Sequence, residues 1–168
     1  MSSTTGDLGD AIVQLLPRLR RFARSLAGNT QDGDDLVQIA IERALRNSAQ
    51  LRPDAQLSSW MFGILRNAWI DEFRGRGRRN RLFVAAEYGE QVADPASNLQ
   101  ADMLSVQEAM MRLPVDQREV VSLVLVEGLS YKEAAEIVNV PVGTVTSRLA
   151  RGRETLQSLL TGSSGERP

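Results

Sequence analysis

The sequence predicts an all-α protein of two small helical domains joined by a flexible linker. Apolar residues recur at helical spacing through most of the 168 residues. The recurrence fades from Gly75 to about Asn98, where Gly75, Gly77, Gly89, Pro95 and Ser97 accumulate. Beyond that gap, Leu129 to Leu160 reads as two short helices joined by a tight turn. These boundaries divide the chain into an N-terminal domain over 8–76, a linker over 77–98 and a C-terminal domain over 99–161.

The first helix follows from Ile12, Val13, Leu15, Leu16, Leu19, Phe22, Ala23 and Leu26, with Arg18, Arg20, Arg21 and Arg24 largely on the opposite side. Pro17 predicts a kink or a restart within it, and Gly28 with Asn29 its end. Asp32, Asp34 and Asp35 suit the start of a second helix, because carboxylates are stabilised by the amide-rich end of the helix dipole. They lack the spacing and the closing glutamate of a calcium loop, so no metal is expected there. After a loop over 47–57, Ser58 and Ser59 are cap candidates for a third helix carrying Trp60, Met61, Ile64, Leu65, Ala68, Trp69 and Phe73.

In the C-terminal domain a helix is predicted from Gln100 to Arg112, ended by Leu113 and Pro114. Another begins at Asp116 and Glu119 and closes at Gly128. Ser130 and Glu133 have the spacing of a capping box, in which each satisfies an amide near the other's position. Ala134, Ala135, Ile137 and Val138 give that helix a close-packing face; Asn139 and Pro141 turn the chain. In the last helix Val145, Leu149, Gly152, Leu156, Leu159 and Leu160 form one stripe, which must be its buried side. The tail TGSSGERP is predicted to lack fixed structure.

The side opposite the stripe is free to read something. It presents Thr144, Ser147, Ala150 and Arg151, flanked by Thr146, Arg148 and Arg153. Small residues permit close approach, hydroxyls donate, and guanidinium groups fork onto guanine or phosphate. A solvated polar face on an ordinary helical hairpin has the same pattern, so this feature alone leaves both readings open.

Composition narrows the classes. The chain is 42% apolar and 24% charged, with no cysteine and no histidine. Disulfides, thiolate zinc sites and thiol sensing are excluded, and the commonest metal ligand and general base is missing. With no phosphate-binding glycine loop and no convincing pair of carboxylates, no enzyme, cofactor or catalytic residue is expected. No apolar run approaches a membrane span and MSSTTGDLGD lacks a signal peptide, so a cytoplasmic protein without membrane insertion is expected. The net charge of −1 hides an uneven distribution: residues 71–81 carry five arginines against two carboxylates, and residues 99–140 carry three basic residues against seven acidic ones.

Four stretches together carry a resemblance. DDLVQ at 34–38, SSWMFGILRNAWIDEFR at 58–74, LPVDQREV at 113–120 and LSYKEAAEIVNVPVGTVTSRLARGR at 129–153 resemble, in order and spacing, the motifs of extracytoplasmic-function sigma factors of bacterial RNA polymerase. The resemblance covers about residues 10–160. It implies a promoter-specificity subunit whose partners are core RNA polymerase, promoter DNA and an anti-sigma factor, acting on a stress-response regulon. Asp35, Leu36, Gln38, Ile39 and Glu42 match the polymerase-docking helix, although relatives usually carry glutamate where Ile39 stands. The loop with Arg52 and Asp54 matches the segment that captures a flipped minus-ten base, and Asn67 matches a promoter-reading position. Arg66, Arg74, Arg76, Arg78 and Arg79 would hold phosphates nearby; for Arg66 a salt bridge to Asp71 or Glu72 is the alternative. Thr146, Ser147, Arg148, Ala150 and Arg151 match the face that reads the minus-thirty-five element, Thr146 departing from a commonly basic position. A sigma-like decoy for an anti-sigma factor, or a helix-turn-helix repressor, are the competing readings; neither explains all four motifs together with the arginine cluster.

Overall fold

The computed structural model describes residues 3–74 and 106–164, and every regular element among them is helical. The N-terminal half consists of α1 (Ser3–Ala27), α2 (Thr30–Arg46) and α3 (Leu57–Trp69), with a short 3-10 turn, Ser48–Gln50, before α3. The C-terminal half consists of α4 (106–112), α5 (Val115–Val121), α6 (Tyr131–Val138) and α7 (Val142–Ser164). Both α3 and α5 run on into a wider π turn, Ile70–Arg74 and Ser122–Val126 respectively. The predicted linker with Arg78 and Arg79 lies outside the described residues, as do Arg76 of the N-terminal domain and 100–105 of the helix expected from Gln100.

Pro17 neither ends nor restarts the first helix, which continues through it to Ala27. Its missing amide leaves one helix bond unmade; the apolar face on both sides, with Ile12, Leu19, Phe22, Ala23 and Leu26 all buried, holds the segment helical. Gly28, at φ 86°, then turns the chain. Asn29 does more than end α1. Its side-chain oxygen accepts from the Asp32 amide and caps α2. Asp34 lies beyond that first turn and pairs instead with Arg24 at 3.2 Å.

Helix α3 starts at Leu57, so Ser58 and Ser59 sit inside its first turn and do not cap it. The C-terminal half follows its sequence more closely. Ser130 and Glu133 form the capping box, at 3.1 and 2.8 Å, and Asn139 takes the left-handed conformation at φ 55°. Helix α7 buries Val145, Leu149 and Gly152 and half-buries Leu156, Leu159 and Leu160. It extends to Ser164, so residues 161–164 of the expected unstructured tail are helical; continuation of the α7 pattern outweighs the weak helix preference of Gly and Ser there.

Two helix glycines separate backbone cost from packing. A Cβ on Gly152 would stand 2.7 Å from Val121 Cγ2, so α7 and α5 meet there by virtue of a missing side chain. A Cβ on Gly63 would meet nothing within 4 Å. Gly63→Ala should therefore raise stability by about 0.5–1 kcal/mol. Gly152→Ala should lower it, because overpacking costs about 1–3 kcal/mol against a helix-propensity gain of at most about 1. Urea denaturation of both variants checks the opposite signs; a stabilised Gly152 variant would mean that α5 and α7 do not pack this closely.

The two halves do not stand apart. Helix α1 packs on α5 and its π turn as well as on α2 and α3, and α3 packs on α6. Their buried side chains merge into one core running from Ile12 to Leu149.

Candidate nucleic-acid interface

Helix α7 leaves the side opposite its buried stripe largely in solvent. Thr146, Ser147, Ala150, Arg151 and Arg153 are exposed, with Thr144 and Arg148 half-buried at the margin. Two of the hydroxyls are already committed as donors: Thr146 Oγ1 bonds the Val142 carbonyl at 3.1 Å and Ser147 Oγ the Thr144 carbonyl at 3.0 Å. Toward a partner they are left mainly as acceptors. Arg148 Nε leans on Asp116 at 3.5 Å. Arg151 and Arg153 are therefore the two exposed cations of this face.

On the N-terminal half, Arg52, Asp54 and Asn67 are exposed, the first two in the loop before α3 and Asn67 on α3 itself. Arg66, one residue earlier, is not available. Its side chain is 14% exposed and reaches Glu119 in a two-pronged bond, Nε to Oε1 at 2.9 Å and a terminal nitrogen to Oε2 at 3.4 Å. Neither Asp71 nor Glu72 is its partner; both turn to Arg43, at 2.8 and 3.5 Å. The π turn is the local reason, since it places the two carboxylates toward α2. For Arg74 only the backbone, at the end of that turn, is described.

On α2, Asp35, Gln38 and Glu42 are exposed and Ile39 is half-buried, a strip of mixed acidic and apolar character. Leu36 does not join it. It is completely buried, because its position on the helix points to the α1 and α3 side, and it is therefore a core residue under the strip.

Sequence reasoning missed the polar seam between the halves. Glu127, whose side chain is fully buried, accepts from Arg18 Nε at 3.0 Å and Arg21 Nε at 3.2 Å, and its carbonyl accepts from Arg18 at 3.0 Å. Arg118 reaches the carbonyls of Ser25 and Leu26 at the end of α1, both at 3.3 Å, where the helix dipole favours a cation. Ser122 Oγ meets Ser25 Oγ at 3.0 Å. The acidic stretch of 99–140 was legible; its complement on α1 and α3 was not.

Residues 12–66 match the family described as "Sigma2 domain of PhyR", and residues 103–156 match "Sigma-70, region 4". The "ECF RNA polymerase sigma factor EcfG" of Rhodopseudomonas palustris is 39% identical over 157 residues, covering 93% of this chain and 86% of that protein. The chain belongs to the extracytoplasmic-function sigma factors. The sigma factor SigM of Mycobacterium tuberculosis is 37% identical over 143 residues, 85% of this chain and 71% of its own length. Among solved structures, the sigma factor RpoE of Bartonella quintana, in complex with the anti-sigma factor NepR, superposes with a TM-score of 0.80 at 32% identity, covering 96% of this chain and 99% of that one. These relatives are transcription regulators and not enzymes. As a sigma factor the chain directs RNA polymerase to promoters. No helix among the described residues is long and apolar enough to cross a membrane.

Proposed function

We propose that the two halves of this sigma factor divide promoter recognition between Asn67 with the Arg52–Asp54 loop at the minus-ten element and the α7 face at the minus-thirty-five element. The observation that carries the reading is the exposed face of α7. On a capped helix-turn-helix it leaves Arg151 and Arg153 in solvent beside the small Ala150, a shape and charge suited to the major groove. Domain limits of 8–76 and 99–161, with 77–98 between them, fit this division. The strip of exposed Asp35, Gln38 and Glu42 with half-buried Ile39 is the surface offered to core polymerase.

A minus-ten base that is flipped out costs a few kcal/mol in lost stacking and pairing, which a pocket for the unpaired base offsets. Selective binding of the open strand then drives melting. Arg74, Arg76, Arg78 and Arg79 supply a salt-sensitive, sequence-blind hold on the adjoining phosphates. A tether between two weak readers raises the effective concentration of the second once the first is bound. The likeness to RpoE, caught with NepR, supports an anti-sigma factor as a cytoplasmic partner of this chain, in control of a stress-response regulon.

Run-off transcription by purified core polymerase on a library of upstream regions tests the reading. Transcripts that share a two-element motif and need the protein support it; no transcription together with no core binding points to a decoy. Asn67→Ala should impair strand opening, followed by permanganate reactivity of the minus-ten thymines, and leave the affinity for core polymerase unchanged. Loss of core binding in that variant would reassign α3 to the polymerase.

A further inference from the structure

Asp116 stands in the first turn of α5, outside the helix-turn-helix, with its two carboxylate oxygens differently engaged. Oδ1 accepts from the Gln117 amide at 3.0 Å, and Oδ2 lies 3.5 Å from Arg148 Nε on α7. We infer that Asp116 is a positioning residue for promoter recognition, a role that rests on the promoter reading proposed above: acting through Arg148, it fixes a guanine preference at one position of the minus-thirty-five element and keeps that arginine off the phosphates.

Packing between α5 and α7 holds the pair in place. Val145 and Leu149 are buried on α7 and fix its rotation about its own axis. One turn beyond Arg148, the bare backbone of Gly152 lets α5 come close: a Cβ there would stand 2.7 Å from Val121 Cγ2 and 3.6 Å from Gln117 Cβ. At about 100° per residue, Thr144, Arg148 and Arg151 fall within roughly 60° of one another around α7. Arg148 is thus held at the edge of the face that the other two occupy. A guanidinium has one inner nitrogen and two outer ones. Asp116 takes the inner one, and the outer pair, without a partner among the described residues, is left to fork onto O6 and N7 of a guanine. With Asp116 51% exposed, the ion pair adds little stability. Its effects are on freedom and on charge. An unheld arginine samples many rotamers and loses them on binding, whereas a held one presents its fork already placed. The adjacent carboxylate also offsets the charge that would draw Arg148 to phosphate, and itself repels phosphates, which disfavours binding out of register. Exposed Arg151 has no carboxylate partner among the described residues and keeps the salt-sensitive role.

The test is selection by reconstituted polymerase from a pool of duplexes randomised across the minus-thirty-five element. Arg148→Ala should relax the preference at one position by on the order of tenfold. Asp116→Asn, which keeps the shape and removes the charge, should relax the same position by about threefold and no other. In the Arg148→Ala background Asp116→Asn should add nothing. On a duplex lacking the selected motif, Asp116→Asn should bind more tightly, with a salt dependence steeper by about one unit, because the released arginine now meets a phosphate. A merely structural role would instead weaken every position together. An unchanged preference in Asp116→Asn, or a uniform loss, overturns the positioning role and leaves the promoter reading intact; a pool without any base preference from the unaltered chain overturns both. A second measurement needs no DNA. Nitrogen relaxation of the Arg148 Nε–H group in the free chain should show it restrained relative to that of Arg151, and equally mobile in Asp116→Asn. An Arg148 as mobile as Arg151 in the unaltered chain overturns the proposal, whatever the selection yields.

Discussion

Phe62→Ala is expected to lower the stability of the folded chain by about 3–5 kcal/mol, the usual cost of removing a ring from a close-packed core. Phe62 is completely buried on α3 and meets Phe22 of α1 edge to face, with centroids 5.3 Å apart and planes at 89°. The guanidinium of Arg18 lies 5.3 Å from the centre of the Phe62 ring before reaching Glu127. The ring therefore supports the α1–α3 contact and the orientation of a seam arginine together. A loss of this size is a large part of the 5–15 kcal/mol typical of a small protein, so part of the population should be unfolded at 37 °C. Urea denaturation followed by circular dichroism measures it. A double-mutant cycle with Phe22→Ala should show a coupling of about 0.5–1.5 kcal/mol between the rings. A loss below about 1 kcal/mol would show that the ring is not in a packed core.

Arg151→Ala should weaken promoter binding about tenfold, near 1.4 kcal/mol, and flatten the dependence of log affinity on log salt by about one unit. The second effect follows if the guanidinium releases a counterion at a phosphate. Were it paired only with a guanine edge, affinity would fall for one promoter base and the slope would stay. Arg20→Ala removes another exposed cation, from α1 and outside the proposed interface, and should leave both quantities unchanged. Fluorescence anisotropy of a labelled promoter fragment at several salt concentrations distinguishes these outcomes. If Arg151→Ala binds like the unaltered chain, the α7 face does not read DNA.

What could be read from the residues was local and periodic. The capping box at Ser130 and Glu133, the left-handed Asn139 and the buried stripe of α7 each depend on neighbours within one or two turns, and the structure has all three. Errors gathered where the deciding partner was distant. Arg66 has two carboxylates five and six residues away, yet it pairs with Glu119, 53 positions off. The position of Glu119 suits a helix start, but tertiary contact with Arg66 has the larger claim on its charge. Nothing in the sequence links Arg18 to Glu127 across 109 positions, because ion pairs leave no periodic trace. Leu36 failed for a different reason: a resemblance supplies positions, and only the turn of the helix tells which of them face outward. At Pro17 the packed face overrode a local preference.

Arg118 holds the end of α1 through the carbonyl oxygens of Ser25 and Leu26, and not through their side chains. A main-chain oxygen is present whatever amino acid occupies the position. This part of the fit between the halves is therefore indifferent to substitution at the end of α1, so long as the helix still ends there. The carboxylate contacts are not indifferent, since each needs its own arginine. Drift in descendants of this chain is thus constrained unevenly: Glu127 must change in step with Arg18 and Arg21, and Glu119 with Arg66, whereas Arg118 can remain fixed while the residues it grips are replaced.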